Sequence, residues 1–115
     1  LSLANREEDA LSVKEAELAT MRRFGASEGR LLITKGNLAS SYRIVGRLEE
    51  ALCMRQEVYS ACLKLHGKDH EDTLIEANNY ANLLVTLERF DEARSLMRKT
   101  IPVARRVLGE HHDLT

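Results

Sequence analysis

Apolar positions recur along this chain in steps of three, four and seven. Leu31, Leu38, Ala39, Tyr42 and Val45 form one such series, and Ala77, Tyr80, Ala81, Leu84 and Leu87 form another. A second kind of series runs Ala51, Met54, Val58, Cys62, Leu65, and again Ala93, Leu96, Met97, Ile101, Ala104, Val107. These steps place side chains on one stripe of an α-helix, whereas a strand would need strict alternation. The spacing predicts helices over 7–24, 28–45, 49–66, 71–88 and 91–108, with residues 1–4 as the last turn of a preceding helix. The expected fold class is therefore all-α.

The series repeat. At an offset of 42 residues Asn37 meets Asn79, Ala39 meets Ala81, Arg47 meets Arg89, and Glu50-Ala51 meets Glu92-Ala93. Gly25 meets Gly67, which meets Gly109; His70 meets His112, and Thr73 meets Thr115. At an offset of 41, Arg6 meets Arg47 and Ala10-Leu11 meets Ala51-Leu52. A fixed period of this length marks a repeat architecture. Each unit is a helix pair, so the chain is expected as a single repeat domain over 1–115. It divides into a partial first unit (1–26), a second (27–68), a third (69–110), and the start of another (111–115). Neither end carries a polar capping helix, so the expectation is an excerpt of a longer array. Alanine at 51 and 93, and at 39 and 81, should let paired helices approach closely.

The punctuation agrees with this division. Gly46-Arg47-Leu48-Glu49 and Glu88-Arg89-Phe90-Asp91 are short connectors within a pair. Their carboxylates suit the positive end of the following helix. Gly67 and Gly109 suit left-handed C-terminal caps. Asp69, and Ser27 in the matching place, are expected to cap the next helix.

Asn-Leu-Ala at 37–39, Gly-Arg-Leu-Glu-Glu-Ala at 46–51 and Gly-Lys-Asp-His-Glu-Asp-Thr-Leu at 67–74 together resemble the 42-residue tetratricopeptide repeats of the kinesin light chain type. Asn-Asn-Tyr-Ala-Asn-Leu-Leu at 78–84, Phe-Asp-Glu-Ala-Arg at 90–94 and residues 106–115 extend the resemblance over nearly the whole chain. It implies a right-handed superhelical solenoid of antiparallel helix pairs, with the first helix of each pair lining a concave groove. It then implies that Ile33, Gly36, Ser40, Arg43 and Ile44 face inward from one unit, and Ile75, Asn78, Asn82, Val85 and Thr86 from the next. Of these, Ser40, Arg43, Asn78, Asn82, Val85 and Thr86 are the expected partner-binding residues. Side-chain amides offer both a donor and an acceptor, which suits a peptide backbone. Asn37 and Asn79 are expected as structural ladder residues. The chain departs from the family where proline usually follows the inter-unit histidine; Glu71 and Asp113 stand there. Pro102 falls inside the last helix, where it removes a donor and is expected to kink the outer helix.

Composition narrows the chemistry. The 17 basic and 18 acidic residues give a formal net charge of −1, which does not point to nucleic acid. No run of apolar residues is long enough for membrane insertion as a helix. Cys53 and Cys62, nine residues apart on one helix, are separated by roughly 13 Å, too far for a disulfide. That suits a cytoplasmic or other reducing compartment. His66 and His70 stand four apart with Gly67 between them, and no metal site is expected there. Arg22-Arg23, Arg98-Lys99 and Arg105-Arg106 are read as solvated outer faces, with an acidic partner as the sharper reading. No nucleophile stands at a recognisable spacing from a base, and no phosphate-binding glycine loop is present, so neither catalysis nor a cofactor is expected. The expected function is a scaffold or adaptor that binds a peptide or protein surface. The alternatives are a structural subunit inside a large complex, or a regulatory repeat segment of a larger enzyme or NTPase.

Overall fold

Each apolar stripe folds as a helix. The computed structural model describes residues 3–113, with side chains described for 6–109. Among these residues there are five helices and no strand: α1 (Leu3–Arg23), α2 (Glu28–Ile44), α3 (Leu48–His66), α4 (Glu71–Thr86) and α5 (Phe90–Asp113). The chain separates into two compact units, Leu1–Val58 and Tyr59–Thr115, which divide within α3.

In the first unit α1 packs on α2. Leu11, Leu18, Leu32, Leu38, Ala39, Tyr42, Ala51 and Leu52 are buried. Polar links run through this packing. Lys14 Nζ donates to Ser41 Oγ at 2.7 Å, and the Tyr42 hydroxyl donates to Glu15 Oε2 at 2.8 Å. The Arg47 guanidinium lies 4.8 Å from the centre of the Tyr42 ring and forks onto Glu50 at 2.7 and 2.6 Å. Burial, followed by the hydrogen bond to Glu15, pushes the Tyr42 phenol up to about 12.

In the second unit α4 packs on α5. Cys62, Leu74, Ala77, Ala81, Leu83, Leu84, Ala93 and Leu96 are buried. The fork recurs at the repeat distance, with Arg89 donating to Glu92 at 2.7 to 3.0 Å. The four alanines expected at close approaches are all buried: Ala39, Ala51, Ala81 and Ala93. The first-turn carboxylates Glu50 and Glu92 thus hold the connector arginine that precedes each of these helices.

The helix ends explain the turns. After α2, Gly46 N donates to the Arg43 carbonyl (3.1 Å) and Arg47 N to the Tyr42 carbonyl (2.8 Å). The matching pair after α4 is Glu88 N to Val85 O at 2.9 Å and Arg89 N to Leu84 O at 2.8 Å. This is the Schellman arrangement, which needs one left-handed residue. Gly46 supplies it at φ +85°, but its repeat counterpart is Glu88 at φ +60°. Gly67 is left-handed as expected, at φ +83°. Ser27 caps α2 by accepting from Arg30 N at 3.4 Å.

Some expectations are corrected. No break separates Leu3 and Ala4 from the rest of α1, because helix-forming residues run through Asn5 to Asp9 without glycine or proline; residues 1 and 2 lie outside the described residues. Helix α5 continues through Gly109, which is not left-handed, since a single glycine costs a helix only about 1 kcal/mol. Leu114 and Thr115, expected in a further unit, lie outside the described residues. Leu65 and Ile101, on the expected apolar stripes, are half-exposed. Pro102 sits exposed within α5 without ending it.

Two outcomes follow. A side chain in the left-handed region costs ~1–2 kcal/mol, partly offset by the greater freedom glycine has when unfolded. Glu88→Gly should therefore stabilise the chain by about 0.5–1 kcal/mol in urea denaturation, and Gly46→Ala should destabilise it by about 1 kcal/mol. Tyr42 is raised from 10.0 to about 12, so the folded state favours its neutral form. Its contribution is fully present below pH 10 and is lost as pH rises towards 12. Tyr42→Phe should lose part of that alkaline decline, measured as denaturation midpoint against pH.

Candidate functional site

The residues expected to face a partner are on the surface. On α2, Ile33, Ser40, Arg43 and Ile44 are exposed and Gly36 is half-buried. On α4, Ile75, Asn78, Asn82, Val85 and Thr86 are all exposed. The apolar members are unusual for a surface: Ile33 is 68 % exposed and Ile44 65 % on α2, with Ile75 at 51 % and Val85 at 50 % on α4. Tyr42, Ala81 and Leu84, on the opposite sides of the same helices, are buried.

The polar members differ in their freedom. Thr86 donates back to the Asn82 carbonyl at 2.9 Å, and Ser40 to the Gly36 carbonyl at 3.3 Å. Such back-bonds use the hydroxyl hydrogen within the helix. Asn78 and Asn82 stand one turn apart on α4, and their amides are exposed to solvent. Arg43 is exposed near the end of α2.

Sequence reasoning missed Arg55. Its guanidinium reaches from α3 to Ser40 Oγ at 2.9 Å and passes 3.9 Å from where a Gly36 side chain would begin. That distance is ordinary van der Waals contact, so the guanidinium lies directly over Gly36. The available signal was Arg55 one turn beyond the buried Ala51, which puts both on the α3 face turned to α2. At the repeat distance, Met97 replaces Arg55, Asn78 replaces Gly36 and Asn82 replaces Ser40. Here, within the second unit, a cleft of about 360 Å³ opens between α4 and α5. Its lining includes Leu74, Ile75, Asn78, Met97, Ile101 and Leu108. An apolar cleft with an amide at its edge can take an apolar side chain while bonding to the backbone that carries it.

Of the expected ladder residues, Asn37 is exposed, and Asn79 donates to Glu76 of its own helix at 3.1 Å.

A model of the tetratricopeptide repeat family matches residues 30–106. A clustered mitochondria protein homolog from Candida albicans (strain SC5314 / ATCC MYA-2876) is 29 % identical over 92 residues. That match covers 80 % of this chain and 7 % of the relative, so the chain spans a small part of the relative's length.

The loop histidines are built into the fold. His70 is the N-cap of α4, its Nδ1 accepting from Asp72 N at 3.0 Å. It takes the place expected for Asp69, whose carboxylate instead receives Arg106 from α5. Arg106 is therefore not simply a solvated charge. His66 stacks on His70 with ring centres 4.4 Å apart. Stacked rings do not converge their nitrogens on one point, and among the described residues no group of three or more His, Cys, Asp or Glu could hold a metal. His111 and His112 lie outside the described side chains. Losing a side-chain cap costs about 0.5–2 kcal/mol. His70→Ala should lower stability by that amount in urea denaturation, and His70→Asn should restore most of it. Equal losses in both variants would mean that ring stacking, not capping, is what His70 contributes.

Proposed function

Because the chain belongs to the tetratricopeptide repeat family, we propose that it is a scaffold or adaptor module that binds a peptide or protein surface along the exposed faces of α2 and α4. Tetratricopeptide repeats generally mediate protein–protein interaction. The carrying observation is the stripe on α4, where half-exposed Ile75 and Val85 flank the exposed Asn78 and Asn82. Exposed apolar groups rimmed by polar ones mark interaction surfaces. The amides would bond to a partner's backbone, and the cleft beside Ile75 would take an apolar side chain. On α2, Arg43 would make a charge-assisted bond to a partner carboxylate, which is stronger than a neutral one.

The 42-residue spacing supports the kinesin light chain-like type of repeat within the family. The free thiols Cys53 and Cys62 support a reducing compartment. In the yeast relative the matching stretch is a minor portion of a much longer protein, which supports a binding segment within a larger assembly. Among the described residues no helix is long and apolar enough to cross a membrane.

The test begins with peptides selected on the immobilised chain from a random display library. Titration of a selected peptide then compares wild type with Asn82→Ala and Arg43→Ala, with circular dichroism to check folding. Asn82→Ala should leave stability nearly unchanged and weaken binding by about 1–2 kcal/mol, since it removes one hydrogen bond buried in the complex. Unchanged affinity in both variants would move the binding site off these faces.

A further inference from the structure

The turn between α1 and α2 carries groups that the packing of the first unit does not use. Phe24 is 79 % exposed, the highest value among the large hydrophobic residues described. Arg22, Arg23 and Arg30 are exposed as well, and none of them forms an ion pair among the described residues. Between residues 18 and 34, Glu28 is the one carboxylate beside these three arginines. The turn itself is braced. Phe24 N donates to the Thr20 carbonyl at 3.0 Å and Ala26 N to the Met21 carbonyl at 2.9 Å, with Gly25 left-handed at φ +72°. Ser27 caps α2, and Thr34 Oγ1 lies 3.2 Å from Met21 Sδ, which ties the two helices beside the turn. A partner therefore has little ordering of this backbone to offset.

Fold stability does not account for this composition. Arg22 and Arg23 suit the negative end of α1, but Gly29 and Arg30 stand in the first turn of α2. There a cation faces the positive end of the helix, and glycine lowers helix propensity. At the matching junction 42 residues on, His66 takes the place of Phe24 and stacks on His70. Here Glu28 stands in the place of His70 and offers no ring. Space is open around the turn: beyond its own helix and chain neighbours, a side chain begun at Gly25 or Gly29 would meet nothing within 4 Å. A protruding aromatic ring among unpaired cations fits a surface that is anionic outside and apolar beneath.

We propose that the α1–α2 turn is a docking tip for the surface of a bilayer containing anionic phospholipid. The Phe24 ring enters the boundary between headgroups and acyl chains, and Arg22, Arg23 and Arg30 meet the anionic headgroups. A single-stranded nucleic acid is held instead by a charged groove with successive stacking rings. Phe24 is the one aromatic residue between 20 and 34, so the turn offers a single ring. The tip uses none of the residues proposed to bind a peptide on α2 and α4, and it stands whether or not those faces bind.

Vesicles of phosphatidylcholine, with and without phosphatidylserine, are sedimented with the whole chain. The chain should sediment with the phosphatidylserine vesicles and be released by added salt. The sequence has no tryptophan, so Phe24→Trp places a single fluorescent reporter at the tip. Its emission should move to the blue on binding and be quenched by brominated acyl chains. Phe24→Ser, and Arg22→Glu with Arg23→Glu, should each lower vesicle affinity by about tenfold with an unchanged dichroism spectrum. The idea fails if the chain stays in the supernatant with both vesicles, or if it sediments while the reporter's emission stays the same. It also fails if Arg98→Glu with Arg105→Glu weakens sedimentation as much as the tip variants do. A shift of the reporter by a single-stranded oligonucleotide, but not by the vesicles, would assign the tip to nucleic acid and overturn the proposal.

Discussion

Burial of alanine at the repeated positions of the helices is the constraint on which the rest depends. Ala51 and Ala93 begin the second helices, Ala39 and Ala81 sit midway along the first, and all four are buried. A larger side chain at such buried positions has to displace its neighbours. The pose is held at the connectors by a repeated device. A Schellman turn ends the first helix, and the arginine after it forks onto a glutamate three residues later. Fixing one face of α2 and α4 inside leaves the other face outside, and that outer face carries isoleucine and valine.

The same scaffold presents different chemistry in its two units. Around Gly36 and Ser40, Arg55 lies over the helix and supplies a cation. Around Asn78, its counterpart Met97 lines an open apolar cleft. Changing a few surface residues thus alters what each helix pair can hold without changing how the pair packs. This is how repeats bind varied partners on a constant frame. The conformational strain is also uneven, since Glu88 holds a left-handed turn that Gly46 makes without penalty.

Much of the fold was legible because period and punctuation agree. The stripes Ala77–Leu87 and Leu31–Val45 placed the helices, and the 42-residue offset placed the matching turns, with Gly46 answered by Glu88. The outward residues of α4 were expected from the family resemblance, and Ile75, Asn78, Asn82, Val85 and Thr86 all lie on the surface. The errors came where three-dimensional neighbours decided the outcome. Asp69 looked like a cap, but Arg106, distant in sequence, draws it away and leaves the cap to His70. Gly109 matched Gly67 in sequence, yet only Gly67 turns left-handed. Arg55 was not legible because its partner, Ser40, lies fifteen residues away on another helix.

The central claim is that buried alanines set the helix pairs and thereby free the apolar face of α4 for a partner. Equilibrium denaturation of Ala93→Leu beside Val85→Ser tests it most directly. Overpacking a buried site costs about 1–3 kcal/mol, whereas a surface change away from special features stays within about 0.5 kcal/mol. The account predicts a clear loss for Ala93→Leu and little for Val85→Ser. Comparable losses in the two would mean that Val85 belongs to the core and that the proposed binding face is a structural surface.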